Sequence, residues 1–278
     1  MIKIGQTYEL NVIKILDFGA YVDAGDLGEV LLPIRYTPHN LSAGDSIKAF
    51  IYLDSEDRPV ATTQIPKASV GEFAYLKVLD ITRVGAFLDW GLDKDLLVPF
   101  AEQHVPMKEG HSYLVYLYID KLDGRIAASS KIDKFIDEHK AHDFKPQQVV
   151  DLIIANSTEL GYKAIINHSY WGVLYKNDVF QRLSFGQYKK GFIKNIREDG
   201  KIDLSLQGGQ ETRDKNADII LSYLKNKNSF APVHDKSEPQ LISELFAMSK
   251  GAFKKAIGSL YKQRIISIES DGISLLTK

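Results

Sequence analysis

The sequence has no cysteine, and this absence removes several classes of protein at once. Without thiols the chain has no disulfide framework, no thiolate zinc site and no cysteine nucleophile. Apolar runs are also short, because none approaches the roughly 20 residues that a helix needs to cross a bilayer. The N-terminal residues carry no signal-peptide pattern. We therefore expect a reduced, cytoplasmic protein with no membrane partner.

A large excess of one charge is missing as well. The formal net charge is −1, which argues against a protein that coats polyanions through charge alone. The charges are nevertheless unevenly distributed, since residues 1–66 hold five basic against nine acidic side chains and residues 211–278 hold eleven against eight. Any surface that contacts phosphates is therefore expected near the C-terminal end of this sequence.

The common signatures of catalytic and cofactor sites are also absent. There is no Walker loop, no Rossmann glycine string and no His-Glu-x-x-His helix. Two acidic pairs, Asp54 with Asp57 and Asp93 with Asp95, could be drawn as metal ligands for hydrolysis. Both pairs lie in predicted turns, where Asp favours the backbone geometry. We therefore expect no enzyme, no cofactor and no metal.

The sequence does contain one pattern written twice, with a fixed spacing of 66 residues and no gap. The segment Asp17–Asp23 returns as Arg83–Asp89, and a set of Gly, Leu, Pro, Tyr, Asp and Ala positions recurs with it. Each copy is a series of short apolar alternations interrupted by Gly, Asp and Pro, which is typical of a small antiparallel barrel. The sequence therefore predicts five-stranded barrels over residues 1–66 and 67–132.

Alternation within the predicted strands sorts residues between the core and the outside of each barrel. In Ile47–Leu53 the apolar alternate residues fit a core, which puts Phe50 and Tyr52 on the outer face. Tyr116 and Tyr118 take the same places in the second copy. Outward aromatic rings can stack on unpaired bases, and packing against the neighbouring repeat is the slightly favoured alternative for these four residues.

The string Phe18-Gly19-Ala20-Tyr21-Val22, followed by Leu-Leu-Pro, is similar to the S1-type RNA-binding domain, which is an OB-fold. In that family the two aromatic residues of the string stack on RNA, and an Asp and an Arg precede the last strand. The resemblance implies that RNA is bound by Phe18, Tyr21, Asp54 and Arg58 in repeat one and by Phe87, Asp120 and Arg125 in repeat two. Repeat two has Val84 in place of the first aromatic, and both repeats have Pro where the family has His, at Pro33 and Pro99. We therefore expect repeat one to bind RNA more strongly.

A third and more divergent copy follows a charged linker, which we place at residues 133–145. Its final hairpin, Asp199–Leu206, closely matches that of the S1-type domain. The two stacking aromatics are replaced by Leu160 and Lys163. The sequence therefore predicts a third OB-fold barrel over residues 146–209. Its role is left open between RNA binding and packing against the rest of the protein.

After Gly208-Gly209 the apolar period changes from two to about 3.6, which indicates helices. Three helical stripes and a turn at Asp271-Gly272 predict a winged helix-turn-helix domain over residues 210–278. The third helix, predicted over Met248–Arg264, has no acid and five basic residues: Lys250, Lys254, Lys255, Lys262 and Arg264. A basic third helix suits nucleic-acid phosphates, and a merely solvated face is the alternative.

In its domain order, three OB-fold barrels ahead of a winged helix, the chain resembles the conserved virulence factor B family of bacterial RNA-binding regulators. The expected fold class is mainly β with a C-terminal α+β domain. The resemblance implies a cytoplasmic post-transcriptional regulator that binds single-stranded RNA through its tandem barrels, with help from the basic winged helix. The alternatives are a DNA-binding transcription factor that uses the winged helix and an RNA-processing enzyme.

Overall fold

A computed structural model describes residues 1–137, 140–179, 181–206 and 209–276, with residues 209–214 as backbone only. The chain forms two compact units, Met1–Asp137 and Glu138–Lys278. The first unit contains two closed five-stranded barrels, and the second contains a third closed barrel and a helical domain with a three-stranded sheet. This architecture confirms the predicted fold class.

Barrel one closes with its strands in the pairing order 1-2-3-5-4. Its strands are β1 (Gln6–Leu16), β2 (Gly19–Asp23), β3 (Glu29–Pro33), β4 (Ser46–Leu53) and β5 (Pro59–Thr62). The pair of β3 with β5 is parallel, and the other pairs are antiparallel. Alternate strand residues such as Leu10, Val22, Leu32 and Ile51 fill its apolar core.

Barrel two repeats barrel one in detail. Its strands are β6 (Phe73–Thr82), β7 (Gly85–Asp89), β8 (Leu96–Pro99), β9 (Ser112–Ile119) and β10 (Ile126–Ser129). The parallel pair is now β8 with β10. The pairing register shifts between Val12 and Lys14 in β1, and it shifts between Val78 and Asp80 in β6. The sequence repeat is therefore a structural repeat that includes this irregularity.

A glycine begins the second strand of each barrel because no side chain fits there. Gly19 and Gly85 have φ angles of 149° and 154°, and Gly161 of the third barrel has 153°. A Cβ on Gly19 would lie 2.3 Å from the carbonyl oxygen of Leu32, and one on Gly161 would lie 2.0 Å from that of Leu174. The glycine of the S1-type string is thus required by the close approach of the next strand.

The outward aromatic residues of β4 are buried between the first two barrels. Phe50 is 1% exposed and Tyr52 is 5% exposed, and both belong to the apolar cluster of barrel two rather than that of barrel one. The Phe50 ring meets Trp90 edge to face, with the ring centroids 5.7 Å apart. Packing against the neighbouring repeat is therefore confirmed for Phe50 and Tyr52.

The start of the predicted linker packs on barrel two. Ile132–Phe135 form one turn of 3-10 helix. The Phe135 ring stacks on Tyr116 and Tyr118, at centroid distances of 4.2 and 5.7 Å. Tyr116 and Tyr118 therefore pack, but their stacking partner belongs to the segment predicted as a linker, whereas the sequence-based expectation was the neighbouring repeat.

The third barrel closes in the same order as the first two. Its strands are β11 (Val149–Ser157), β12 (Gly161–Ile166), β13 (Tyr170–Tyr175), β14 (Tyr188–Ile196) and β15 (Ile202–Ser205). Strands β13 and β15 form its parallel pair. Its core contains Leu152, Ala164 and Leu174. The predicted third barrel is confirmed, although its sequence has diverged.

The C-terminal domain has three helices and a small sheet in the order β16-β18-β17. Its elements are α1 (Gly209–Asn226), β16 (Phe230–Ala231), α2 (Pro239–Phe246), α3 (Lys250–Lys262), β17 (Ile266–Ile268) and β18 (Ile273–Leu275). The Ser249 hydroxyl caps α3 by accepting a hydrogen bond from the backbone nitrogen of Ala252 over 3.0 Å. This is the predicted winged helix.

Two details of this domain differ from the sequence-based expectation. The third helix ends at Lys262, so Arg264 lies beyond it, in the left-handed region with a φ of 56°. The sequence does not predict β16, since two residues carry no periodicity. This strand pairs with β18, and Gly272 allows the approach, because a Cβ there would lie 2.2 Å from the carbonyl oxygen of Ala231.

Candidate nucleic-acid interface

Barrel one presents an aromatic pair at the hairpin between β1 and β2. Phe18 is 53% exposed and Tyr21 is half-buried. Their rings meet edge to face, with the centroids 6.3 Å apart. The Lys14 ammonium lies 4.7 Å from the centroid of the Tyr21 ring and also pairs with Glu29. Two rings and a cation therefore lie together where the sequence predicts a stacking site.

Asp54 and Arg58 form an ion pair in the loop between β4 and β5. Arg58 Nε and Nη2 donate to Asp54 Oδ2 over 2.9 and 2.8 Å, and the backbone nitrogens of Glu56 and Arg58 donate to Oδ1. Partial burial raises the pKa of Asp54, but these hydrogen bonds and the Arg58 charge hold it below its usual value. Asp54 therefore organises this loop and leaves the Arg58 side chain 66% exposed.

The matching face of barrel two has a different set of apolar groups. Val84 stands where barrel one has Phe18, and it is 49% exposed. Phe87 is half-buried and lines a cavity of about 320 Å³. Phe100 directly follows β8 and is 53% exposed. Sequence reasoning missed this aromatic residue, because it lies outside the S1-type string. The repeat could have indicated it, since a large apolar residue, Ile34, follows the proline at the same position of repeat one and is likewise 54% exposed.

The side chains of Asp120 and Arg125 in repeat two form no ion pair with each other, although the backbone nitrogen of Asp120 donates to the carbonyl oxygen of Arg125 over 2.8 Å. Asp120 accepts a hydrogen bond from the backbone nitrogen of Leu122 over 2.8 Å and so shapes its own turn. Arg125 instead contacts barrel one, where its Nε donates to Asp57 Oδ1 over 2.8 Å. The hydrogen bond and charge of Arg125 lower the pKa of Asp57. The structure therefore brings Arg125 to the contact between the barrels.

Further polar contacts hold barrel two against barrel one. Lys94 Nζ donates to the carbonyl oxygens of Leu53 and Asp54 over 3.0 and 2.6 Å, and burial lowers the pKa of Lys94. The Tyr36 hydroxyl donates to Asp93 Oδ2 over 2.6 Å. Burial and this hydrogen bond raise the pKa of Tyr36. These contacts and the buried aromatic residues fix the faces of the two barrels with respect to each other.

Barrel three replaces both the Asp–Arg loop element and the aromatic pair. Arg197 and Lys201 stand at the ends of its last turn, as Asp54 and Arg58 do in barrel one. Arg197 Nε donates to Oδ1 of Asp203, on β15, over 2.9 Å. Leu160 is 67% exposed at the hairpin tip. The Lys163 ammonium lies 3.8 Å from the Trp171 ring centroid. Lysine and leucine therefore occupy the two stacking positions, as the sequence indicates.

Helix α3 turns most of its basic residues outward. The exposed members, including the one that follows the helix, are Lys254, Lys255, Lys262 and Arg264. Lys250 is half-buried, and its Nζ donates to the carbonyl oxygen of Lys236 over 3.1 Å. A Cβ on Gly258 would meet nothing within 4 Å, and Tyr261 is 56% exposed. This side of the helix is therefore basic and open.

Within the residues that the structure describes, no helix has both the length and the apolar character needed to cross a bilayer. In the same part of the chain, no three His, Asp or Glu side chains come together as possible metal ligands. Asp54 and Asp57, one of the acidic pairs noted in the sequence, are each engaged by an arginine.

Comparison with known families agrees with this domain order. Residues 4–64 and 70–131 match the S1 domain, and residues 218–275 match the CvfB-like winged helix domain. Both are families of nucleic-acid-binding domains, and neither is an enzyme family. The matches support a nucleic-acid-binding regulator.

Relatives with a similar sequence cover most of the chain. The uncharacterized protein YitL of Bacillus subtilis (strain 168) is 30% identical over 93% of this chain and 89% of its own length. Conserved virulence factor B of Staphylococcus aureus (strain N315) is 30% identical over 86% of this chain and 82% of its own length. A multidomain protein with nucleic acid binding domains from Streptococcus pneumoniae TIGR4 has a solved structure that matches 98% of both chains, at 25% identity and a TM-score of 0.41. With its tandem S1 domains, its CvfB-like winged helix and this identity over most of its length, the chain belongs to the conserved virulence factor B family, as its domain order predicts.

Proposed function

We propose that this protein is a cytoplasmic regulator of gene expression that binds single-stranded RNA and acts after transcription. The observation that carries the proposal is the exposed Phe18 ring, which meets the half-buried Tyr21 ring beside Lys14. Such rings stack on bases that are splayed out of a single strand, whereas a duplex keeps its base faces covered. A cation beside the rings favours a neighbouring phosphate.

Several weak contacts on one chain explain how a protein of near-zero net charge can bind RNA usefully. Barrel two adds Phe87 and the exposed Phe100, and α3 adds its outward lysines. Tandem sites raise avidity by roughly 10²–10⁴-fold when the geometry allows simultaneous engagement. The barrels supply stacking, and the winged helix supplies phosphate contacts.

DNA binding by the winged helix is the second candidate function. The observation that favours it is the open basic side of α3, with Lys254, Lys255 and Lys262 exposed. In a helix-turn-helix domain this helix can enter the major groove of a duplex. Preference for single strands or for duplex separates the two candidates.

The proposal is tested with matched single-stranded RNA, single-stranded DNA and duplex DNA, by fluorescence anisotropy across a salt series. We expect the single-stranded RNA to bind most tightly. Changing both Phe18 and Tyr21 to Ala should weaken RNA binding by about 2–5 kcal/mol if both rings stack. The salt dependence should stay the same, because stacking neutralises no phosphate.

The control variant is Ile65→Ala, which removes an apolar side chain that is 88% exposed elsewhere in the first unit. It should leave the affinity unchanged. Unchanged affinity in the double variant would show that the aromatic pair does not bind RNA. Tighter binding of duplex DNA than of single-stranded RNA would favour the second candidate.

A further inference from the structure

The cavity of about 320 Å³ on barrel two combines an aromatic wall with a carboxylate. Phe87 on β7 pairs with Leu97 on β8. Asp95 lies two residues before Leu97 and therefore on the same face of the sheet, and all three residues line the cavity. Tyr52 of barrel one contributes to the lining as well. The volume is at the small end of the range for ligand sites, roughly 300–1,000 Å³.

The Asp95 carboxylate has an unused capacity to accept hydrogen bonds. Over the residues that the structure describes, no hydrogen bond or ion pair reaches its side chain, which is half-buried. Asp89, its neighbour at the end of β7, is instead paired with Lys67 over 2.6 Å. Burial raises the pKa of Asp95, and the charges of Asp89 and Asp80 raise it further. A half-buried carboxylate without a hydrogen-bond partner is stabilised when a ligand donates hydrogen bonds to it.

The repeat provides an internal comparison for this carboxylate. The residue 66 positions before Asp95 is Glu29, and Lys14 pairs with it. The counterpart of Lys14 is Asp80, which faces Phe87 across the β6–β7 pair as Lys14 faces Tyr21. Barrel two thus has the acidic Asp80 where barrel one has Lys14, the base that neutralises Glu29. The two cations that also line the cavity, Lys94 and Arg125, are bound by Asp54 and Asp57 of barrel one. Beside Asp95, barrel two therefore disfavours a phosphate and favours a neutral group that donates hydrogen bonds.

We infer that this cavity takes one guanine base, which stacks on Phe87 and donates hydrogen bonds from its N1 and N2 to the Asp95 carboxylate. The inference rests on the proposed binding of single-stranded RNA and adds base selectivity to it. Guanine has two adjacent donors on its Watson–Crick edge, which match the two oxygens of a carboxylate. Uracil has one donor between two carbonyl oxygens, and adenine and cytosine each have an acceptor beside their amino group.

The experiment uses the full chain and four labelled RNA decamers. Each probe is oligouridine with G, A, C or U at one central position. At constant salt, we expect the G probe to bind about tenfold more tightly than the all-U probe. Asp95→Asn keeps the shape of the side chain but places a donor against the guanine donors, so it should abolish this preference. Glu109→Gln is the control, since it makes the same change of charge at an exposed turn of barrel two and should keep the preference.

The outcomes separate this inference from the proposed function. Loss of the G preference in Asp95→Asn, with the all-U affinity retained, supports the guanine site. Equal binding of all four probes by the unaltered protein overturns the guanine site and leaves RNA binding intact. An equal gain in affinity for all four probes in Asp95→Asn also overturns it, because the carboxylate then only repels phosphates. Failure to bind any of the four probes overturns both proposals.

Discussion

Phe50 is the residue whose replacement tests the contact between the first two barrels. Its side chain points away from the core of barrel one, yet it is 1% exposed and lies against Trp90 and Tyr52, with ring centroids 5.7 and 6.4 Å away. Phe50→Ala removes this burial and leaves a cavity, which costs about 3–5 kcal/mol in a packed site. The missing aromatic pairs account for roughly 0.5–1.5 kcal/mol each within that figure. We therefore expect the free energy of unfolding of the first unit to fall by about 3–5 kcal/mol.

Tryptophan fluorescence during urea unfolding measures this change directly. The sequence has two tryptophans, Trp90 and Trp171, so a Trp171→Phe background leaves Trp90 as the reporter of the contact. The control is Phe18→Ala in the same background, because Phe18 is 53% exposed. A surface change of this kind should alter the free energy of unfolding by no more than about 0.5 kcal/mol.

One result would refute the reasoning. If Phe50→Ala lowers the free energy of unfolding by less than about 1 kcal/mol, the ring does not lose a packed environment. The two barrels would then be joined without a shared apolar core. Their binding faces would also have no fixed relation to each other.

Two further predictions concern α3 and the behaviour of the first unit at alkaline pH. Changing both Lys254 and Lys255 to Glu should reduce the slope of log affinity against log salt, by about 0.7 for each phosphate of a single strand that is no longer neutralised. The reduction should be equal for all RNA sequences, because contacts to phosphates do not read the bases. An unchanged slope in the salt titration would mean that this face of α3 is only solvated. Burial raises the pKa of Tyr52 in the folded protein. The contribution of the neutral Tyr52 side chain to stability is therefore complete below the unfolded pKa of about 10, and it is lost as the pH rises toward the folded value. Between about pH 9 and 11, the free energy of unfolding measured in urea titrations should fall less in Tyr52→Phe than in the unaltered protein. An equal fall in the two proteins would show that Tyr52 does not cause this pH dependence.

The sequence by itself determined the architecture, because the patterns that encode it are local. A spacing of 66 residues requires two copies of one fold, and alternation with a period of two identifies strands whatever covers them. Gly19 and Gly85 mark the strand bends, since the requirement for glycine arises inside each barrel. The winged helix follows in the same way from a period of about 3.6 and a turn at Gly272. The strand β16 was not predicted, because two residues are too few to show a period.

Only the tertiary structure decided how the outward residues are used. Phe18 and Phe50 are both aromatic and both lie outside the core of barrel one, yet one is 53% exposed and the other 1%. The difference arises because barrel two covers that side of β4, and no local period encodes which face a neighbouring domain covers. Arg125 shows the same limit, since its partner Asp57 is 68 residues away and belongs to the other barrel. The burial of Phe50 and the ion pair of Arg125 depend on contacts between repeats, whereas the fold depends on patterns within each repeat.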